Sequence, residues 1–176
     1  MIFISGIHGV GKSYFCEKVK SCLRIDAYSA STLISELKSE LFKKDKLIAD
    51  IENNQDYLLA AVKKLDEMEQ IFLLDGHLCL LNAQGDVQRI SIQTFIDLKP
   101  RGIVLLTEDP VVIAERRKTR DGVDHDIGKI SAFQNEEVTY AEEISELMGI
   151  PLYISQGARD IENAIKFVDT LARSEK

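Results

Sequence analysis

The stretch Gly-Ile-His-Gly-Val-Gly-Lys-Ser at residues 6–13 limits what this chain can fold into more than any other feature. It directly follows a short apolar run at residues 2–5 and precedes apolar residues at helical spacing, Phe15, Val19 and Cys22. Glycines let the backbone wind tightly with its N–H groups pointing inward, and a following helix adds its positive N-terminal end. The sequence therefore predicts a strand, an anion-binding loop and a helix at its start.

The loop matches the pattern G-x-x-x-x-G-K-[ST] in full, and this pattern is typical of sites that hold nucleotide phosphates. The Lys12 ammonium would reach the β- and γ-phosphates, and the Ser13 hydroxyl would become a Mg²⁺ ligand. For His8 the backbone N–H is expected to matter more than the ring. The alternative is a glycine-rich turn carrying a surface lysine. The residues predicted to contact ATP here are Gly6, His8, Gly9, Val10, Gly11, Lys12, Ser13 and Tyr14.

Short apolar runs alternate with helical periodicities along the rest of the chain, which predicts an α/β fold with a parallel sheet covered on both faces. The clearest helical stripe lies at residues 161–172, and Asp109-Pro110 is typical of a helix start. Residues 78–92 fit either a hairpin or an irregular loop. The predicted strands are Ile2–Ser5, Leu23–Asp26, Ile71–Asp75, Ile103–Thr107 and Pro151–Ser155.

Two carboxylates stand at the predicted carboxyl ends of strands, where doubly wound sheets bind ligands. Asp75 would hold Mg²⁺ beside the phosphate loop, or would merely open the turn that it forms with Gly76. Asp26, at the end of the second predicted strand, would lie on the same edge as Asp75. It would contact an acceptor substrate or cap a turn, and the sequence leaves both open.

Arg116, Arg117 and Arg120 form a positive cluster in an otherwise acidic chain. Arg116 and Arg120 are one helical turn apart, so both would project from one face of a helix end. Arginines that close over a moving phosphoryl group stabilise the charge that develops on it. The polar stretch at residues 121–128, which contains two glycines, has the composition of a short lid. The alternative is a solvated face whose arginines pair with neighbouring carboxylates.

The composition argues against several classes of protein. The net charge of −7, from 29 acidic and 22 basic residues, argues against a nucleic-acid partner. Apolar runs such as residues 103–106 are far shorter than the roughly 20 residues of a membrane-spanning helix, and the first residues do not resemble a secretory signal. Three cysteines without a C-x-x-C pair predict neither a disulfide framework nor a zinc site. A reducing cytoplasm is the expected location.

The motifs also occur in a familiar order. The loop is followed by a helical segment at about residues 29–69, then by Asp75-Gly76-His77, Glu108-Asp109-Pro110 and Ile113-Ala-Glu-Arg-Arg117. In this order the chain resembles the small P-loop kinases, and most of all the archaeal-type adenylate kinases and related nucleoside monophosphate kinases, which are AAA-type small ATP-binding kinase-like proteins. The resemblance covers nearly the full length, including Phe133-Gln134-Asn135 and the strand at residues 152–155.

The resemblance implies a P-loop NTPase fold. This is a three-layer α/β/α sandwich with a five-stranded parallel sheet of order 2-3-1-4-5. It further implies that residues 1–176 form a single kinase-like domain. Residues 27–69 would be the helical acceptor-binding segment, and residues 116–128 would be the lid.

The resemblance also implies roles for individual residues. Gly6 to Ser13 would hold the donor phosphates, and Asp75 would organise Mg²⁺. Arg116 and Arg120 would face the adenine and the transferring phosphate, which makes them catalytic together with Lys12. Gln156 and Gly157, in the turn after the last strand, would lie against the donor base.

One departure concerns the acceptor. The arginines with which such kinases clamp a monophosphate are missing from residues 77–81 and 133–138, and residues 26–70 contain no arginine. The acceptor is thus a nucleotide, an uncharged nucleoside or another small alcohol. The leading hypothesis is an ATP- and Mg²⁺-dependent phosphotransferase. The alternative is an ATP-binding, slowly hydrolysing regulatory module that acts through a partner protein.

Overall fold

The computed structural model describes residues 1–43, 54–68 and 70–174, with residues 41–43 described by their backbone alone. The strands are β1 (Ile2–Ser5), β2 (Asp26–Ser29), β3 (Phe72–Asp75), β4 (Cys79–Leu81), β5 (Val87–Arg89), β6 (Ile103–Thr107) and β7 (Leu152–Gln156). The helices are α1 (Lys12–Leu23), α2 (Ala30–Lys43), α3 (Asn54–Asp66), α4 (Ile92–Leu98), α5 (Pro110–Asp121), α6 (Ile127–Met148) and α7 (Ile161–Arg173). A short 3₁₀ turn, Ala158–Asp160, precedes α7.

Five strands form a parallel sheet in the order β2-β3-β1-β6-β7. Counted without the small hairpin β4–β5, this is the order 2-3-1-4-5, so the predicted fold class is confirmed. The central strand β1 is buried along its whole length, as expected for a strand covered on both faces. Helix α1 packs with α7, whereas α4 packs with α6.

The register of the sheet brings two chemically important positions together. In β1, Ile4 lies opposite Asp75 of β3 and opposite Val104 of β6. Because parallel strands end at the same edge, the loop after β1 and the carboxylate that ends β3 are neighbours there. The apolar residues Ile2, Ile4, Leu73 and Leu105 have no exposed surface and anchor these strands in the core.

The second strand differs from the prediction. Helix α1 continues through Leu23 and ends at Arg24, which adopts a left-handed conformation (φ 58°). The strand therefore runs from Asp26 to Ser29, three residues later than expected. A non-glycine residue rarely ends a helix in this conformation, so the sequence carries little signal for the boundary.

This shift moves Asp26 to the opposite end of its strand. Asp26 lies beside Phe72 at the amino end of the sheet, and its carboxylate pairs with Lys20 at 2.9 Å. The prediction that Asp26 shares an edge with Asp75 is therefore wrong, and with it the possible acceptor contact. Ser29 takes that place, opposite Asp75.

Residues 78–92 form a hairpin, the first of the two alternatives. Strands β4 and β5 pair antiparallel, and the Asn82 side chain accepts hydrogen bonds from the Gln84 and Asp86 amides in the turn (3.0 and 2.8 Å). Helix α4 follows directly, capped by the Ser91 hydroxyl. The periodicity had not indicated α4 as a separate helix.

The expected acceptor and lid segments correspond to helices and a short connection. Helices α2 and α3 lie within residues 27–69, of which residues 44–53 and 69 fall outside the described part. Helix α5 begins as predicted, with Asp109 as its cap and Pro110 in its first turn. Residues 116–128 comprise the end of α5, a connection at residues 122–126 and the start of α6. None of the described helices is long and apolar enough to cross a membrane.

The buried central strands should dominate stability. Leu105→Ala in β6 removes a fully buried side chain and should lower the free energy of unfolding by about 2–5 kcal/mol, because it leaves a cavity. Val111→Ala, at a position that is 45% exposed, should change it by less than about 0.5 kcal/mol. Equilibrium urea unfolding measures both, and equal losses would contradict the assignment of the core.

Candidate active site

The loop between β1 and α1 is shaped by three glycines with positive φ angles. Gly6, Gly9 and Gly11 have φ values of 138°, 85° and 111°. A Cβ atom on Gly6 would stand 2.6 Å from the Leu106 carbonyl oxygen, so this position admits glycine alone. Gly11 precedes the first residue of α1, so the loop leads into a helix N-terminus as predicted. The result is a curved backbone of the kind that binds anions.

Lys12 lies under this loop with 9% of its surface exposed. Its Nζ donates a hydrogen bond to the Gly6 carbonyl (2.7 Å) and lies 3.8 Å from Asp75 Oδ1. Burial lowers the pKa of Lys12, and the Asp75 carboxylate opposes this effect. Burial likewise raises the pKa of Asp75, and Lys12 opposes it. Each of the two charges thus offsets part of the free-energy cost of burying the other, at the junction of β1 and β3.

Ser13 and Asp75 were predicted to hold Mg²⁺. The Ser13 side chain is exposed at the start of α1, Asp75 is half-buried at the end of β3, and both line the same cavity. Mg²⁺ prefers oxygen ligands and is usually held by one or two side chains together with substrate phosphates. The hydroxyl and the carboxylate fit such an ion. Within the described ranges, no group of three or more His, Cys, Asp or Glu residues forms a separate metal site.

Two histidines stand beside the loop. The rings of His8 and His77 have their centroids 4.4 Å apart at a tilt of 51°. Burial, with the charge of Lys12, lowers the pKa of His77 to about 3 and also lowers the pKa of His8. Both rings are therefore predominantly neutral at pH 7. The His8 ring thus has a contact that the sequence analysis, which stressed its backbone, did not anticipate.

Two arginines of α5 attach to the outer side of the loop. Arg116 donates from Nη1 to the Val10 carbonyl (3.1 Å) and from Nη2 to the Glu108 carboxylate (3.0 Å). Arg117 donates from Nε to the His8 carbonyl (2.8 Å). The helix thereby holds the loop at two carbonyl groups, one on either side of Gly9.

Arg120 is placed differently. It donates from Nε and Nη2 to the carboxylate of Asp121 (2.6 and 2.7 Å), and it is largely exposed. This is the neighbouring-carboxylate pairing that the sequence analysis gave as an alternative. Arg117, which had been assigned no contact of its own, reaches the loop instead.

A cavity of about 350 Å³ lies on the β6–β7 side of the loop. Arg116 and Gly157 both line it. Gly157 has φ 69°, and a Cβ there would stand 2.8 Å from Glu108 Oε1. Gln156 is exposed and lies outside this lining, while its backbone N–H donates to Asp160 (3.1 Å). The other lining residues are Val10, Gly11, Tyr14, Phe15, Leu106, Thr107, Glu108, Ser155, Ala158 and Ile161.

A larger cavity of about 530 Å³ lies on the other side of the loop. It extends from Lys12 and Asp75 to the side chains of α2, α3 and α4. Its lining includes the apolar residues Phe3, Ile34, Leu58, Phe95 and Leu98. Its neutral polar residues are Ser29, Ser31, Asn54, Gln55 and Thr94. Tyr14 lines this cavity as well as the smaller one.

Helix α6 supports the site from below through a buried carboxylate. Glu137 has no exposed surface and accepts hydrogen bonds from the Ser5 hydroxyl (2.6 Å) and from the amides of Leu78 and Cys79 (3.1 and 2.9 Å). Burial raises the pKa of Glu137, and these hydrogen bonds oppose the rise. The sequence analysis missed Glu137. Helical spacing could have indicated that Glu137 is buried, because it lies on the same buried face of α6 as Phe133 and Tyr140.

The same helix also contacts the smaller cavity. The Gln134 side chain accepts a hydrogen bond from the Glu108 amide (3.0 Å) and donates one to the Glu108 carbonyl (2.9 Å). Gln134 and Glu137 therefore connect α6 to both sides of the loop.

One known protein family matches most of this chain. The sequence profile of a family described as an AAA domain matches residues 5–134. No curated protein sequence matches the chain.

Solved structures share the fold at low identity. The YorR protein of Bacillus subtilis, solved in complex with phosphorylated GDP, is 18% identical with a TM-score of 0.58 over 100% of this chain and 99% of that one. Shikimate kinase from Bacteroides thetaiotaomicron is 14% identical with a TM-score of 0.51, covering 98% of each chain. A gluconokinase from Sinorhizobium meliloti is 15% identical with a TM-score of 0.52, covering 97% of this chain and 92% of that one.

Glu137→Ala should lower the free energy of unfolding by about 2–3 kcal/mol, because it leaves two buried amides and a hydroxyl without an acceptor. Glu137→Gln, which keeps one acceptor oxygen, should lower the free energy of unfolding by a smaller amount. Glu142→Ala, at an exposed position of the same helix, is the matched control and should change stability by less than about 0.5 kcal/mol. Urea unfolding measures all three variants. If the first variant were as stable as the control, the carboxylate would not hold the turn.

Proposed function

We propose a function for this chain from the premise that it belongs to the AAA domain family. It is an ATP- and Mg²⁺-dependent phosphotransferase that moves the γ-phosphoryl group of ATP to a nucleotide or a related small acceptor. The proposal includes the finer resemblance to archaeal-type adenylate kinases and nucleoside monophosphate kinases. It also treats residues 1–176 as one kinase-like domain with its acceptor segment at residues 27–69 and its lid at residues 116–128.

One observation carries the proposal: the glycine-rich loop has a cavity on either side, and buried Lys12 lines the larger of the two. Phosphoryl transfer requires the attacking and leaving oxygens to lie roughly in line on opposite sides of the γ-phosphorus. A donor base on one side and an acceptor on the other would meet this requirement. Positioning and charge stabilisation then supply most of the catalysis.

The donor would occupy the smaller cavity. Its base would lie against Gly157 and Gln156, with Arg116 at its edge. Its phosphates would bind the loop amides from Gly6 to Ser13, where the N-terminus of α1 adds a favourable field. Lys12, which already lies between Gly6 and Asp75, would neutralise the β- and γ-phosphates.

Ser13 and Asp75 would hold the Mg²⁺ ion. Bound there, Mg²⁺ would supply positive charge that neutralises the negative charge developing on the transferred phosphoryl group. Asp75 would be shared between this ion and Lys12, whose Nζ lies 3.8 Å from Asp75 Oδ1. The half-buried position of Asp75 also limits competition from water.

The lid arginines would act at a later stage. Arg120 is held by Asp121 and is mostly exposed, so it would exchange this carboxylate for the transferring phosphoryl group when the lid closes. Arg116 is already bound to the loop and would remain near the donor. Lys12, Arg116 and Arg120 are thus the proposed catalytic residues.

The comparisons support a kinase. Two of the structures with the same fold are named kinases, and they match this chain over at least 92% of their own length. The YorR protein was solved with a phosphorylated nucleotide.

The alternative is a regulatory module that binds ATP, hydrolyses it slowly and acts through a partner protein. The observation in its favour is that no arginine lines the larger cavity, where a kinase of this type would clamp a phosphorylated acceptor. A screen of nucleosides, nucleotides and small alcohols with ATP separates the two. Stoichiometric ADP and a phosphorylated acceptor indicate the kinase, whereas slow phosphate release alone indicates the module.

Lys12→Ala should abolish phosphoryl transfer because the ammonium that neutralises the γ-phosphate is lost. The fold should be kept, because Asp75, which loses its cation, is partly exposed and can be hydrated. A coupled assay of ADP release measures phosphoryl transfer, and thermal melting measures whether the fold is kept. Lys166→Ala, at an exposed position of α7, is the control. A folded Lys12→Ala variant with wild-type turnover would refute the mechanism.

Arg120→Ala should reduce kcat by about tenfold or more while leaving ATP affinity within about twofold, because Arg120 would act on the transition state alone. Arg117→Ala removes the hydrogen bond to the His8 carbonyl and should instead weaken ATP binding. Steady-state kinetics measure kcat, and calorimetric titration with a non-hydrolysable ATP analogue measures nucleotide affinity. If kcat were unchanged in Arg120→Ala, the arginine would belong to a solvated face.

A further inference from the structure

We propose that the larger cavity takes an uncharged hydroxyl compound with a flat apolar part, of the nucleoside class, in preference to a phosphate monoester. This inference rests on the proposed function, because it assigns the acceptor of that reaction. The observations that carry it are the charges and the apolar lining of the cavity.

The positions of the arginines argue against a phosphate group in the larger cavity. All eight lie within the described residues, and none lines the cavity of 530 Å³. Arg116, Arg117 and Arg120 are held on the α5 side of the loop. Arg89, the one arginine in the hairpin, is bound by the carboxylates of Glu136 and Glu143. In this arrangement the bidentate donors that suit a terminal phosphate lie outside the cavity.

Lys12 is the one cation among the described residues that line the cavity, and Asp75 lies beside it. Donor phosphates would use the Lys12 charge first. Lys38, on the neighbouring face of α2, donates to the Asn54 side chain (2.6 Å), and its Nζ lies 5.0 Å from the centre of the Tyr57 ring. A second phosphate group in the cavity would thus enter without a matching cation among these residues, which is unfavourable away from water.

The apolar part of the cavity lining favours a flat apolar group. Phe3 and Phe95 are almost fully buried there, and their ring centroids lie 5.5 Å apart in an edge-to-face arrangement. Ile34, Leu58 and Leu98 complete an apolar wall. An aromatic ring gains free energy by leaving water for such a wall, whereas a phosphate loses it.

Neutral hydrogen-bonding groups line the same cavity. The hydroxyls of Ser29 and Ser31 are 2.9 Å apart, and Asn54 and Thr94 also line the cavity. Hydroxyl and amide groups can both donate and accept, which suits ribose hydroxyls and base edges. The cavity thus combines one apolar surface with a few polar groups, the usual composition of a site for a neutral small molecule.

The reaction balances with this acceptor. The oxygen of an acceptor hydroxyl forms a bond to the γ-phosphorus of ATP, while the bond from that phosphorus to the β–γ bridging oxygen breaks. The hydroxyl proton passes to solvent, and ADP leaves. The product is the phosphate monoester of the acceptor, which carries the new charges away from a cavity that does not pair with them.

The test compares matched acceptors on the full-length protein. Adenosine, guanosine, cytidine, uridine and thymidine are each titrated beside their own 5′-monophosphates, with Mg²⁺ and a non-hydrolysable ATP analogue present, by calorimetry and thermal shift. The expected result is that at least one nucleoside binds about tenfold or more tightly than its monophosphate. Tighter binding of the monophosphates, or binding of neither member of any pair, overturns the inference.

A charge variant tests the reason for the preference. Ser31→Arg adds a cation at an exposed position that lines the cavity, and it should shift the ratio toward the monophosphate by about tenfold. Thr32→Arg adds the same charge one residue further on, outside the lining, and should leave the ratio unchanged. Equal ratios in the two variants would show that cavity charge does not select the acceptor, which also overturns the inference.

The two proposals fail in different ways. If nucleosides bind selectively but Mg²⁺-ATP does not phosphorylate them, the acceptor class stands and the phosphotransferase proposal fails. If Mg²⁺-ATP phosphorylates a monophosphate in preference to its nucleoside, the phosphotransferase stands and the acceptor class is wrong.

Discussion

The ammonium group of Lys12 is the point on which the site depends. A buried charge is unfavourable unless hydrogen bonds and opposite charges compensate it, and here the Gly6 carbonyl and Asp75 do so. Gly6 follows β1 and Asp75 ends β3, so the compensation requires these strands to pair in the observed register. The sheet, the loop and the start of α1 are thereby arranged around one side chain, which in the proposed function also neutralises the donor phosphates.

Two layers of contacts keep this arrangement in place. Arg116 and Arg117 hold the loop from outside through the carbonyls of Val10 and His8. Glu137 holds it from below, because Ser5 is the last residue of β1 and bonds to this carboxylate. The loop therefore keeps its shape through protein contacts, which reduces the reorganisation needed when phosphates bind.

Much of the fold could be predicted from local patterns. The bounds of β1 and β6 matched the apolar runs, because a buried parallel strand is marked by its composition alone. The boundary of β2 could not be predicted, since α1 ends at a non-glycine residue, Arg24. At the site, the glycine-rich loop was recognisable by its spacing. Glu137 was not, because its partners are more than 50 residues away in sequence.

Helix α6 links the two halves of the site. Gln134 bonds to Glu108 at the rim of the smaller cavity, and Glu137, three residues later, holds the turn that leads from Asp75 into the hairpin. Three residues of α-helix span only about 4.5 Å along the axis. A shift or tilt of α6 would therefore move both contacts in the same direction, so the spacing between the two cavities is fixed by the geometry of one helix.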